Sequence, residues 1–282
     1  MKRAVEIFPD SWRIMLGPLI LPLPEDGNAQ KIAATRNFIK FNPKNAEGPA
    51  LLARVLLDAG ETEEVGSLIE SAWQLNADHS FVKATDMLYL TYQGVISEAS
   101  VIAEMLAQPE STLRAGSKGM ALRTLTTRAL TTNGEAEVIP LFLSAYPGLA
   151  AADLTGIVLL TSQYRKSGHL SAALDLAVLY ERAGRSEKAE SLLAAVEAEL
   201  PYWPRRGFWG TGVADAELHA IRGDDAAALA ALRQAAEDGW TQLWWWYLDH
   251  SPHFERLRGT PEFSEIGADF AIRAAVPATK IE

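Results

Sequence analysis

Residues 170–201 read LSAALDLAVLYERAGRSEKAESLLAAVEAELP, and their spacing decides the fold. Leu170, Leu176, Ala177 and Tyr180 precede Gly184; Ala189, Leu192, Leu193, Val196 and Leu200 follow it. Apolar residues three and four apart share one helix face, so each half predicts an amphipathic helix. Between them, Gly184 suits a helix end that must turn left-handed, a backbone conformation glycine takes without steric cost. Ser186 and Glu187 are residue types that open the next helix, through a side-chain cap or a favourable charge at its positive end. Pro201 closes the unit. The stretch predicts two antiparallel helices joined by a tight turn.

The pattern extends outward. Residues 47–76 repeat it with Leu52, Ala53 and Leu56, then Gly60, then Ile69 and Ala72. Gly60 and Gly94 stand 34 apart, as do Gly134 and Gly168; Gly184 and Gly223 are 39 apart, and 40 residues separate Gly94 from Gly134. Pro9, Pro43 and Ala77 keep a step of 34, as do Ala4, Phe38 and Ala72. In Asp225–Glu237, Ala228, Leu229, Leu232, Ala235 and Ala236 again form one face, with Asp224 and Asp225 after Gly223 as an opening pair. No run of alternating β-branched residues predicts a strand. A helix–turn–helix period of about 34 residues is the mark of one repeat class. On these residues the chain resembles the tetratricopeptide repeat family. The resemblance implies an all-α fold: an α–α superhelix, a TPR-like solenoid of antiparallel helix pairs. Two departures remain. Gly168 and Gly184 are only 16 apart, so one of them lies between repeats. Residues 12–24 hold the place of a first helix yet carry Pro18, Pro22 and Pro24, which predicts a short or broken helix.

The two ends carry further expectations. In the repeat phase, residues 1–9 look like the tail of a unit, so the chain reads either as the C-terminal part of a longer protein or as a stand-alone chain with a short N-terminal helix. The C-terminal stretch resembles the closing segment of repeat arrays in bacterial signalling proteins, where the array follows a class III adenylate-cyclase domain or a winged-helix regulator domain. The residues carrying this are Arg222-Gly223-Asp224, Ala228-Leu229, Gly239-Trp240, Pro252, Phe254, Leu257, Arg258, Pro261 and Phe263. The resemblance implies a C-terminal helical cap on a sensory or interaction module. The last unit of a solenoid has no neighbour over its apolar face, and Phe254, Leu257, Phe263 and Ile266 suit that cover. The array therefore spans residues 1–200, and residues 201–282 hold the last repeat and cap, continuous with it. Trp244, Trp245 and Trp246 are expected to pack, but helix neighbours point about 100° apart, so at least one should be partly exposed.

Composition excludes several functions. The net charge of −10 and pI near 5.1 disfavour nucleic acid and anionic membranes as main partners. With no cysteine, disulfides, thiolate catalysis and zinc–cysteine sites are out. The apolar run at residues 14–23 is broken by prolines and lacks a small-residue cleavage site, so it does not predict a signal peptide; nothing approaches the roughly 20 apolar residues of a membrane span. The reading is a cytoplasmic protein without membrane insertion.

No catalytic constellation emerges. There is neither a glycine-rich phosphate loop nor a nucleophile elbow, and the acidic residues 61–64 read as a solvated helix start. His250 and His253 flank Pro252 and read as exposed turn histidines rather than metal ligands, because zinc takes three or four ligands and proline breaks the helix that would align the pair. No cofactor, metal or enzymatic activity is expected. Two sets of binding residues remain. The first helix of each pair lines the concave side of such a solenoid. Projected inward, it offers Glu47, Ala50, Arg54, Leu57 and Asp58 from one unit and Ser171, Leu174, Val178, Glu181 and Arg182 from another. This is a mixed groove for a protein or peptide partner, without the lysine–asparagine clamp of chaperone-tail-binding relatives. The second set is the aromatic–basic loop with Trp203, Arg205, Arg206 and Trp209. Its arginines could hold a carboxylate or phosphate, or the loop could pin its own aromatics to the solenoid edge, the favoured reading. Function thus divides among a signalling-linked interaction module, a free-standing adaptor or scaffold with self-association open, and a small-ligand-binding solenoid.

Overall fold

Each helix pair reverses by the same backbone device. At Gly60, Gly94, Gly184 and Gly223 the chain takes φ between +72° and +83°. The next residue then donates its N–H to the carbonyl five positions back: Glu61 to Leu56, Val95 to Leu90, Arg185 to Tyr180 and Asp224 to His219, at 2.8–2.9 Å. This closes the orphan carbonyls of the first helix and aims the second back along it. The fifth turn uses Asn133, at φ +55°, with Gly134 donating to Ala129.

The computed structural model describes residues 27–108, 115–154, 168–203, 205 and 211–275. Among them are thirteen α-helices and no strand. A leading helix, α1 (Gly27–Phe41), is followed by five pairs: α2 (Glu47–Ala59) with α3 (Val65–Asn76), α4 (Ser80–Tyr92) with α5 (Ile96–Ala107), and α6 (Ala115–Thr132) with α7 (Glu135–Ala145). Next come α8 (Gly168–Arg182) with α9 (Ser186–Glu199), and α10 (Ala214–Ile221) with α11 (Asp225–Glu237). The cap is α12 (Trp244–His250), a 3-10 turn at Pro252–Phe254, and α13 (Pro261–Ala274). The first helices α2, α4, α6, α8 and α10 stack on one another as an inner layer, and the second helices lie outside them. The architecture is an all-α, α–α superhelix of antiparallel pairs.

The residues that carried the sequence reading form its core. Leu52, Ala53, Leu56, Ile69, Leu176, Ala177, Tyr180, Ala189, Leu193 and Val196 are all buried in one continuous cluster. The glycine spacing needs correcting. Gly184 is the turn inside the α8–α9 pair, whereas Gly168 is the first residue of α8 and lies between pairs. Its distance of 34 from Gly134 is a coincidence of numbering, and the period holds only between Gly60 and Gly94. Of the expected helix openings, Asp224 caps α11 by accepting from Ala227 N–H at 3.0 Å, while the helices after Gly60 and Gly184 have no side-chain cap. Residues 1–9 and 12–24 lie outside the described residues.

The cap covers the last pair as expected: Phe254, Leu257, Phe263, Ile266 and Phe270 pack with Ala228, Leu232, Ala235 and Ala236 of α11. It also does more. After α11 the chain turns into the concave side and crosses the stacked first helices. α13 reaches α2, and Asn28 of α1 donates to the Ala274 carbonyl at 2.8 Å. The two ends of the array therefore meet, and residues 242–254 form a strap across its inner face.

Candidate functional site

The inner face is built from charges set into apolar helices. Arg123 on α6, Asp175 on α8 and Glu217 on α10 come from three successive first helices, and they are 3%, 0% and 0% exposed. Arg123 Nε lies 3.2 Å from Asp175 Oδ2, and its guanidinium donates to Glu217 Oε1. Burial works against the guanidinium charge, but Asp175 and Glu217 outweigh it and hold Arg123 above its ordinary pKa.

The strap completes this centre from the other side. His253 Nε2 sits 2.8 Å from Asp175 Oδ1 and 4.0 Å from Glu217 Oε1. Ser251 Oγ donates to Glu217 Oε1 at 3.0 Å. The Arg123 guanidinium also donates to the Tyr247 hydroxyl at 3.1 Å, and it lies against the rings of Trp246 and Tyr247. Burial raises the Tyr247 phenol, with Arg123 opposing. At the end of the α6–α7 pair, burial pushes the Tyr146 phenol up to about 12, and the Asp175 charge adds to it. Glu217 Oε2, His253 Nδ1 and Trp246 Nε1 are buried with no hydrogen-bond partner among the described residues.

The strap has a second anchor on α2. Leu243 donates its backbone N–H to Asp58 Oδ1 at 2.9 Å, and Trp244 Nε1 donates to the Asp58 carbonyl at 3.0 Å. Burial pushes the Asp58 carboxyl up to about 6; Arg54, Lys31 and the Leu243 N–H pull the other way. Burial lowers Arg54 from its ordinary value, against the charges of Asp58 and Tyr247. Leu243 holds a left-handed backbone, φ +54°, which costs a non-glycine residue roughly 1–2 kcal/mol. That turn swings α12 off α11 and into the concave side.

The expected groove residues are thus divided. Ala50, Leu57 and Leu174 are core residues, and Asp58 is covered by the strap. Glu47 is buried, with His79 Nε2 at 3.3 Å from its Oε1, and Arg54 is partly buried. Glu181 and Arg182 are exposed at the end of α8; Glu181 accepts from Ser186, and Arg182 reaches Glu135 Oε1 at 3.5 Å. The inner face therefore presents its own C-terminal strap where an open groove was expected. One of the three tryptophans, Trp244, is partly exposed, while Trp245 and Trp246 are buried, as the helix geometry required. The histidines depart from expectation: His253 is buried against Asp175 and His250 is partly buried, because the strap turns inward at Pro252. Among the described residues no group of three or more His, Asp or Glu could hold a metal.

In the aromatic–basic loop, Arg205 is fully engaged. It makes a two-pronged pair with Asp215, at 2.9 and 2.7 Å, and a third contact of 2.8 Å with Asp238. Its partners bind the loop to α10 and the end of α11, and Trp203 Nε1 lies 3.4 Å from Glu199 on α9. Arg206 and Trp209 lie outside the described residues.

Sequence reasoning missed Arg123, Asp175, Glu217, Tyr247 and Ser251. A partial signal was present: Asp175 falls among Ala172, Val178 and Leu179, and Glu217 among Val213, Ala214 and Ile221, at the spacing of one helix face, whereas Arg123 is flanked there by Thr126 and Thr127. A charge so placed is kept in a core only by a partner of opposite sign. Which charge meets which is a long-range matter that the local pattern does not carry.

No protein-family model matches the chain, and no curated protein sequence matches it. Solved structures do. The human IFIT1 dimer with m7Gppp-AAAA aligns with TM-score 0.53 at 16% identity, covering 97% of this chain and 66% of that one. The human IFIT1 dimer with PPP-AAAA gives 0.52 at 15% identity, with the same coverage. This chain spans about two thirds of the IFIT1 chain. The Pseudomonas aeruginosa PilF structure aligns at 0.49 and 16% identity, covering 95% and 98% of the two chains. At such identities the likeness concerns the fold, and the fold it supports is the tetratricopeptide-type helical solenoid.

Proposed function

We propose that the chain is a non-catalytic protein-interaction module whose concave face receives a short aromatic helix or extended segment of a protein partner. One observation carries the reading: that face already grips such a segment, the chain's own strap, through apolar contacts, backbone acceptors and a fixed arginine centre. Helix-in-groove recognition uses those elements. The half-buried Arg54 at one end and the exposed Glu181 and Arg182 at the rim of α8 are the contact residues, while Glu47 and Asp58 are already taken up by His79 and the strap. The C-terminal resemblance supports reading the module as part of a bacterial signalling or regulatory protein that works in the cytoplasm. Arg205 is held by Asp215 and Asp238, so that arginine does not favour a small-ligand reading of the loop. No helix among the described residues is long and apolar enough to cross a membrane.

Photo-crosslinking in native cells tests this. A crosslinker placed at Arg54, Glu181 or Arg182 should trap a protein, while one at the exposed outer residue Val101 should not. Adducts confined to Val101 would move the partner to the convex side. An absence of protein adducts at all four positions would remove the interaction reading.

A further inference from the structure

The buried centre has an odd charge count. Arg123 supplies one positive charge, while Asp175 and Glu217 supply two carboxylates, all three essentially out of solvent. A lone buried charge is costly, and a protein relieves it by pairing or by taking up a proton. The group that meets the excess is His253, with Nε2 within 2.8 Å of one carboxylate and 4.0 Å of the other. A neutral imidazole leaves the centre at −1; a protonated one brings it to zero. Histidine is the side chain whose charge ordinarily changes between about pH 5 and pH 8.

Only one of the four charged partners is on the strap. Arg123, Asp175 and Glu217 belong to the array, so the proton that balances the centre also decides how firmly strap and array hold each other. Among the described residues, the other groups facing the site are these. From α6 come Arg123 and the Thr127 hydroxyl, 3.5 Å from the His250 carbonyl; from α8, Asp175; from α10, Glu217. Tyr146, from the end of the α6–α7 pair, and Tyr247, on the strap, both have raised pKa values and stay neutral. Arg256 and Arg258 are engaged elsewhere. Arg256 donates to the Ala220 carbonyl and Asp225, and Arg258 to the Leu248 and Ser251 carbonyls. His250, beside the site, works the other way, because burial lowers its pKa and charging it opposes docking.

We propose that residues 242–254 are a proton-gated strap, clasped over the inner face when His253 carries a proton and loosened when it does not. The gate is a property of the chain alone. It would control access to the groove named above, but it stands or falls separately from any partner.

Hydrogen exchange of the full chain reads the gate directly, as protection factors for amides 243–257 against those of α8 and α9. One linked proton changes the docking equilibrium by at most about tenfold per pH unit. Strap protection should therefore fall by roughly tenfold or more between about pH 6 and pH 8, while α8 and α9 stay level. Glu217→Gln removes the excess negative charge, and its strap should remain protected at both pH values. His253→Gln keeps the excess charge and cannot take the proton, so its strap should be weakly protected at both. Retained α8–α9 protection shows in each variant that the array is folded. A pH-independent strap in the wild-type chain would overturn the gate. So would a wild-type pH profile in Glu217→Gln. If Asp58→Asn abolished the dependence and His253→Gln did not, the proton would sit at the α2 anchor and the proposal would fail.

Discussion

The α8–α9 pair and the strap are both buried, but they are held by opposite means. In α8–α9, Leu176, Ala177, Tyr180, Ala189, Leu193 and Val196 meet within some twenty residues of one another. The pair follows from a short-range period and one left-handed glycine. The strap meets its partners across the length of the chain: Leu243 with Asp58, Tyr247 with Arg123, His253 with Asp175. Its seven-residue helix has no repeat pattern, and its register is set by a handful of polar contacts around a charge cluster. The contrast teaches that apolar periodicity builds the array, whereas long-range charge matching decides what lies inside it.

The strongest way to break that contrast is to remove the one cation of the centre. Arg123→Ala leaves Asp175 and Glu217 buried with only the His253 imidazole to offset them, and removing one partner of a buried pair typically costs about 3–5 kcal/mol. Urea unfolding should show a loss of that size. The exposed pair Arg128–Glu104, one turn further along α6, provides the control, since surface pairs contribute about 0–1 kcal/mol. Replacing Arg123, Asp175 and Glu217 together by apolar residues of similar size should restore much of the stability. If the triple change were as damaging as Arg123→Ala, shape rather than charge would be holding the strap.

The apolar half of the comparison is tested by Leu176→Ala. Leu176 is fully buried, and truncating such a residue costs about 2–5 kcal/mol according to how far the cavity collapses. The loss should appear as reduced hydrogen-exchange protection on both sides of the cut, in α6–α7 and in α10–α11, because each pair in a solenoid is stabilised by its neighbours. A loss confined to α8 and α9 would mean that the strap, and not nearest-neighbour stacking, unites the array.

This difference also explains what could be read from the sequence. The α2–α3 and α8–α9 pairs, the helix α11 and the turns at Gly60, Gly184 and Gly223 are legible, because each depends on residues within a few positions of one another; the apolar cover of the last pair is legible from the helix spacing of Phe254, Leu257, Phe263 and Ile266. At the fifth turn the left-handed residue is Asn133, one position before the Gly134 that the glycine spacing marks. Gly168 misleads the spacing, because a glycine at a helix start and a glycine in a turn look alike as letters. The arginine centre was not legible: Arg123, Asp175 and Glu217 lie 52 and 42 residues apart in sequence, and no local rule joins them. His253 looked exposed because its neighbours Pro252 and Asp249 are surface residue types; only the inward turn of the strap buries it.

The α2 anchor allows a milder test by pH. Buried Asp58 titrates at about 6 in the folded chain, against about 3.9 for a free aspartate. The folded state thus binds the proton more tightly. The stabilisation is full below about pH 4 and is lost as pH rises through about 6. Asp58→Asn keeps an oxygen for the Leu243 N–H and removes this dependence. Relative to wild type, it should gain on the order of 1–3 kcal/mol at neutral pH and nothing at about pH 4, read from urea midpoints. An equal loss at both pH values would show that the carboxylate charge itself holds Arg54 and the strap.

The smallest effect belongs to the turns. Gly184 has φ +72° and open space where a Cβ would project, so Gly184→Ala meets no steric contact and bears only the left-handed backbone penalty, about 1–2 kcal/mol. Gly212 has φ +58° and lies against the Trp240 indole, which would be 3.1 Å from an added Cβ. Gly212→Ala carries the same backbone term and must also shift a tryptophan packed on Tyr247 and Phe270. Thermal unfolding should therefore rank Gly212→Ala as the more damaging, and only that variant should perturb strap fluorescence. Equal costs would mean that the root of the strap is as loosely packed as an ordinary turn of the array, and the distinction between local pairs and a long-range strap would lose its physical basis.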